Sequence, residues 1–187
     1  MPWLEIVAVL FSLVGIWLGT RRYVISWPII LISTLLYSVV FYRARLYSDT
    51  LLQAAFLIFT LYGWLHWQRG VRREGIVRVE ALSWPAALIG LSAGAVGSLL
   101  LGFVMARYTN AALPLIDSAL TSFSLVATWW QTRKHAASWL LWIAVDCIYT
   151  GVFLYKDLYW TSALYLLLVF LALLGLRDWL RAARHQQ

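Results

Sequence analysis

Ser12–Trp27 reads SLVGIWLGTRRYVISW, and 112 residues later Ser124–Trp139 reads SLVATWWQTRKHAASW. The match runs outward without a gap, so that residues 1–70 land on residues 113–182. Tyr37 falls on Tyr149, Phe41 on Phe153, Leu46-Tyr47 on Leu158-Tyr159, Gly63 on Gly175 and Trp67 on Trp179. Glu5 falls on another acid, Asp117. Both copies are greasy: hydrophobic residues make up 63% of the 187, and only 12% are charged. A chain of this kind, built from two similar halves, is expected to lie in a membrane with its working site between the repeats.

Apolar runs long enough to span a bilayer recur from end to end. Seven are expected, at 3–20, 27–42, 50–67, 83–106, 115–132, 139–154 and 160–176. The first run lacks a basic n-region, since Met1-Pro-Trp-Leu-Glu5 carries an acid, and its repeat mate lies deep inside the chain. It is therefore expected to belong to the fold and not to be a signal peptide. Cys147 is the one cysteine, which excludes an internal disulfide and a CxxC metal site.

The fold class expected is an all-α polytopic membrane protein of seven transmembrane helices in a 3+1+3 arrangement. Residues 1–70 form the first three-helix repeat, and 113–187 the second with a short basic tail. Residues 71–112 supply a cytoplasmic loop and a linker helix four, the polar loop being Gln68–Glu80. Three spans reverse the chain's direction and a fourth restores it, so the two repeats lie parallel. The fourth span carries Gly90 and Gly94 at GxxxG spacing, which serves tight packing or a subunit contact.

The net charge of +7 sorts by side, which favours a membrane over nucleic acid. One face holds Arg21, Arg22, Arg69, Arg72, Arg73, Arg78, Arg133, Lys134, Arg177, Arg181 and Arg184, and the other Arg43, Arg45, Arg107 and Lys156. Eleven against four puts the N-terminus outside and the C-terminus in the cytoplasm. The pairs Arg21-Arg22 and Arg133-Lys134 read as topology signals that also attract anionic headgroups.

Asp146 is the most expensive residue. A carboxylate near the middle of span six costs about 3 kcal/mol on insertion scales. It either pins helices together or contacts a substrate or ion. On a helix it shares a face with Trp139, Trp142, Ile143, Tyr149 and Thr150. An anion beside aromatic rings makes a bed for a flat cation. Its repeat mate, Thr34, is uncharged. Gln53, one turn inside span three, offers an amide donor and acceptor, and Tyr62-Gly63-Trp64 follow on the same span. Asp117, Thr121, Ser124 and Thr128 form a polar stripe that lines a passage or glues helices. Glu5 and Asp117, near the outer surface, are read as structural acids.

Enzyme chemistry finds no support. There is no GxxxxGK[ST], HExxH or GxSxG, and His66, His135 and His185 are scattered. No cofactor and no metal are expected. A non-transporting scaffold or sensor is the rival from another class, but it has no need of a polar set at the midplane.

These residues resemble the PnuC family of bacterial vitamin transporters. The likeness runs from Trp3-Leu-Glu5 to Trp179. It is carried by Leu46-Tyr47…Leu51-Leu-Gln53, Tyr62-Gly63-Trp64, Asp117-Ser118, Ser124-Leu-Val-Ala-Thr-Trp129 and Trp139-Leu-Leu-Trp142 followed by Asp146. The resemblance implies a SWEET-like 3+1+3 fold in the bacterial inner membrane. It implies facilitated diffusion of nicotinamide riboside with alternating access, and a cytoplasmic kinase that traps the substrate. It implies a site at Gln53, Trp64, Trp139, Asp146 and Tyr149. Nicotinamide riboside carriers of the family hold Asn where this chain holds Asp146. Relatives carry thiamine, and more distant ones riboflavin. The partner expected is a small cationic vitamin or nucleoside, with room for a homo-oligomer and none for nucleic acid. Thiamine is the alternative substrate.

Overall fold

The computed structural model describes residues 2–43, 47–108, 113–155 and 159–186. Arg45, Leu46, Lys156 and Leu158 lie outside these, as do the side chains of Glu5, Phe41, Tyr47, Leu51 and Leu52. Among the described residues there are seven helices. They are α1 (Pro2–Thr20), α2 (Ser26–Arg43), α3 (Tyr47–Glu74), α4 (Trp84–Tyr108), α5 (Pro114–Thr132), α6 (Ala137–Tyr155) and α7 (Tyr159–His185). Stretches of α4, α6 and α7 are long and apolar enough to cross a membrane, and α1 and α2 hold shorter apolar segments. Helix α5 is more polar because its polar residues point inward: Ser118, Ser122, Ser124, Thr128, Gln131 and Thr132 are buried.

The helices pack as a ring. Neighbours touch in the order α1, α2, α3, α5, α6, α7 and back to α1, and α4 packs against α5 outside the ring. Two seams close it, α3 on α5 and α1 on α7. Under the 112-residue repeat these seams are counterparts. The same indole bond is made at each. Trp179 Nε1 donates to the Gly19 carbonyl at 3.1 Å, and Trp67 Nε1 to the carbonyls of Gln131 and Thr132 at 3.2 Å. Gln131 is the repeat mate of Gly19.

The turns after α1 and α5 repeat as well. Arg22 and Lys134 both take a left-handed backbone, with φ of 61° and 64°. Thr20 Oγ1 and Thr132 Oγ1 each donate 2.7 Å back to the carbonyl three residues earlier. These bonds satisfy helix-end carbonyls and set the entry into α2 and α6. There Trp27 and Trp139 turn inward. Trp27 lies edge-on to Trp67 at 5.2 Å and 81°, and Trp139 edge-on to Trp179 at 5.7 Å and 80°. Trp67 and Trp179 touch at 5.5 Å, which joins the two pairs into one four-tryptophan cluster. Both of these central rings are fully buried.

The polar stretch Gln68–Glu80 differs from the loop expected of it. Helix α3 continues through it to Glu74, with Arg72 and Arg73 in the last turn, where basic residues complement the helix dipole. It stops at Gly75, whose φ of 76° suits the left-handed cap and whose N–H donates to the Val71 carbonyl at 2.7 Å. The chain then crosses this end of the bundle. Val77 is buried against the tryptophan cluster, and Val79 N–H donates to Gln186 Oε1 at 3.1 Å. The basic tail is likewise helical as far as His185, since α7 carries on beyond the anchored Trp179.

Gly63 and Gly175 are matched close approaches. An added Cβ would fall 2.5 Å from the Trp27 ring at Gly63 and 2.6 Å from the Trp139 ring at Gly175. On α4, Gly90 and Gly94 give way in the same manner to Trp130 and Phe123 of α5. Gly63→Ala and Gly175→Ala are each expected to destabilise the protein by about 1–3 kcal/mol through overpacking. Gly151→Ala, with nothing within 4 Å of the new Cβ, is the control and should not destabilise it. Thermal unfolding of the purified protein in detergent measures the difference.

Candidate functional site

A cavity of about 160 Å³ lies inside the ring, above the tryptophan cluster. All six ring helices line it, and α4 contributes nothing. Its residues fall into pairs 112 positions apart: Ile16 with Thr128, Trp27 with Trp139, Ile30 with Trp142, Thr34 with Asp146, Phe56 with Leu168, and Thr60 with Ala172. The remaining residue, Gln131, lies over its own mate, where an added Cβ on Gly19 would meet its Nε2 at 3.6 Å. The cavity is therefore lined, in matched pairs, by both copies of the repeat. Only the Trp27/Trp139 pair is identical.

The pairs differ in chemistry. Asp146, Trp142, Thr128 and Gln131 stand opposite Thr34, Ile30, Ile16 and Gly19. Asp146 is 6% exposed, and among the described residues its carboxylate has no hydrogen-bond or ion-pair partner. A lone carboxylate held from water is costly unless something meets its charge. Thr34 and Thr128 hydroxyls donate to their own helices, to the carbonyls of Ile30 at 3.0 Å and Ser124 at 2.8 Å. Their oxygens remain as acceptors. Gln131 Oε1 accepts from Trp142 Nε1 at 3.0 Å. This bond fixes the indole and leaves the amide nitrogen as a donor. The set amounts to one anion, flat aromatic walls, acceptor hydroxyls and one amide donor. It suits a flat cation that carries hydroxyl or amide groups.

A second cavity, of about 270 Å³, adjoins the first and shares Ile16 and Leu168 with it. Ser12, Tyr37, Gln53 and Tyr165 line it. Ser33 Oγ donates to the Ala8 carbonyl at 2.8 Å and lies 2.6 Å from Ser12 Oγ, which holds α1 against α2 beside it.

The residues singled out from the sequence divide accordingly. Trp139 and Asp146 line the central cavity together. Gln53 lines the adjoining one. Tyr149 packs 4.6 Å from Tyr165, behind the wall of that second cavity. Trp64 packs on the tryptophan core and lines neither. In the polar stripe of α5, Ser124 and Thr128 bond within their own helix, and Thr128 faces the cavity. Gln131 and Thr60 were missed. One signal was available: each is polar where its mate, Gly19 or Ala172, is not.

Comparison with known proteins agrees with this architecture. A family model described as nicotinamide mononucleotide transporter matches residues 2–181. The nicotinamide riboside transporter PnuC of Escherichia coli is 28% identical, over all of this chain and 88% of its own length. The riboflavin/roseoflavin transporter RibM of Streptomyces davaonensis is also 28% identical, over 97% of this chain and 87% of its own. The crystal structure of the vitamin B3 transporter PnuC superposes with a TM-score of 0.76 at 20% identity, covering 99% of this chain and 83% of that one. The matched frame, the seven-helix fold and the family match over nearly the whole length lead to one conclusion: the chain belongs to the PnuC family of membrane transporters and is not an enzyme.

Proposed function

We propose that this protein carries nicotinamide riboside across the bacterial inner membrane, with the positively charged pyridinium ring seated beside Asp146 in the central cavity. The single observation that supports this most is the buried, unpartnered Asp146 carboxylate among aromatic walls in a cavity lined by both copies of the repeat. The ring would lie against Trp139 and Trp142, with Gln131 and the threonine oxygens of Thr34 and Thr128 within the same cavity for amide or hydroxyl groups. Gln53 and Tyr165, in the adjoining cavity, would meet the substrate on its way in or out. Tyr149 supports Tyr165, and Trp64 supports the tryptophan core.

The helices are read as two parallel three-helix repeats, residues 1–70 and 113–187, joined through α4 in the segment 71–112. The counterpart seams and the identical indole bonds support this 3+1+3 reading. Movement is by facilitated diffusion: the repeats rock and expose the cavity to each side in turn. The basic end faces the cytoplasm and the N-terminus faces out, as the eleven-to-four charge bias indicates. A kinase on that side would trap the substrate by phosphorylation.

Thiamine is the second reading, since it also presents a flat cationic ring and a hydroxyl. The riboflavin-transporting relative makes a neutral flavin the third arm of the test. Titration of the purified protein, read by tryptophan fluorescence, is expected to rank nicotinamide riboside first, thiamine second and riboflavin last. Asp146→Asn should weaken the cationic ligands by about tenfold to a hundredfold, the range for a charged hydrogen bond, and leave any riboflavin binding unchanged. Unchanged affinity for both cations would remove the charge role.

Gln131→Ala takes away an amide without touching the charge. It is expected to weaken nicotinamide riboside by about fivefold, the value of one neutral hydrogen bond, and to free the Trp142 indole. A shift in the tryptophan emission of the ligand-free protein would report that release.

A further inference from the structure

The two halves part company beside α4. Arg21, just after α1, lies 3.9 Å from the Asp178 carboxylate of α7. Its mate Arg133, just after α5, has lost that acid, because the α3 position matched to Asp178 is His66. Among the described residues Arg133 has no carboxylate partner, and its Nη1 donates to Tyr62 Oη at 3.3 Å. Glu80, the acid that docks on this turn, is engaged by Lys134 at 3.7 Å. The guanidinium is thus left with open donors at a membrane-facing edge.

A groove of about 640 Å³ runs from it along α4 and α5. Its walls are apolar, with Phe59, Ile89, Ala93, Leu125 and Trp129, and Arg133 stands at one end. Tyr62 stacks on Trp129 at 5.4 Å and braces the wall beneath the arginine. The far end is closed by Gly97 and Ser122, whose Oγ would lie 3.1 Å from a Cβ added to Gly97. From Ser122 to Arg133 is about 16 Å at the helical rise. One leaflet of the hydrocarbon core is about 15 Å deep. The groove therefore has the length of a single leaflet, an apolar body and a cation at headgroup level.

We propose that this groove binds one anionic phospholipid, with its phosphate on Arg133 and an acyl chain lying along α4 and α5. Its assignment to the cytoplasmic leaflet rests on the orientation given above; the binding itself does not. Arginine suits this role, because its planar fork meets phosphate oxygens two at a time. The lipid would fill the side of the molecule that breaks the repeat symmetry, and would hold α4 on the second half.

Native mass spectrometry of the full chain, released from mixed phosphatidylglycerol and phosphatidylcholine micelles, tests this. Wild type should retain phosphatidylglycerol over phosphatidylcholine by about fivefold, the ratio that one basic side chain yields at an anionic surface. Arg133→Gln should bring the ratio close to one, and Arg133→Lys should keep part of it. Arg21→Gln, an equal change in net charge at the paired mate, should leave it as in wild type. Three results would overturn the proposal. The first is equal retention of both lipids by wild type. The second is the same loss in Arg21→Gln as in Arg133→Gln. The third is a dimer, free of lipid, that Ala93→Phe dissociates, which would make a second copy the occupant. Melting temperatures of the variants close to wild type confirm that each is folded.

Discussion

Two indole N–H groups hold the seams of this bundle. In lipid there is little hydrophobic force between helices, so packing, small residues and interhelical polar contacts must hold them together. Trp179 reaches the Gly19 carbonyl, and Trp67 reaches the carbonyls of Gln131 and Thr132. The bonds land on carbonyls at the ends of α1 and α5, two of which, Gly19 and Gln131, also accept the backbone N–H groups of Arg22 and Lys134 at 3.0 Å. The same two indoles touch at the centre and carry Trp27 and Trp139 on their flanks. Gly63 and Gly175 exist to let those flanking rings in. The floor of the cavity, the closure of the ring and the relation between the halves all follow from this one cluster.

Within that frame, the function proposed depends on broken symmetry. A symmetric cavity would present the same groups twice, and the proposed substrate, with one charged ring and one sugar, has no such symmetry. The cavity keeps its tryptophans in common and divides its polar groups unequally. Asp146 faces a threonine counterpart, Trp142 an isoleucine and Thr128 another isoleucine. The same loss of symmetry at Arg133 and His66 opens the edge beside α4.

Much of this was legible in the residues. The gapless repeat predicted matched elements, and the Trp27–Trp67 contact of one copy recurs as Trp139–Trp179 in the other. Asp146 stood out because a buried carboxylate needs a reason, and Trp139 because it lies two helical turns away on the same face. Gln131 did not stand out, because it lies one turn from basic residues at a helix end and reads as interfacial. Only the tertiary fold brings it over Gly19. Gln53 and Asp146 are both polar and intramembrane, but whether they share one cavity or line two depends on how α1 and α7 pack between them. Local pattern does not encode that. The helical run to Glu74 was hidden by its charge, although Gly75 marks its end and the arginines before it favour the helix dipole.

The family to which the chain belongs includes carriers of chemically different vitamins, so the central claim concerns what this particular cavity selects and where it holds it. The most direct measurement is a structure of the protein with nicotinamide riboside bound. The ring is expected between Trp139 and Trp142, with its charged nitrogen beside the Asp146 carboxylate and the Gln131 amide in contact with ligand. A ligand held wholly by Gln53 and Tyr165 in the adjoining cavity, with Asp146 still unpartnered, would contradict it.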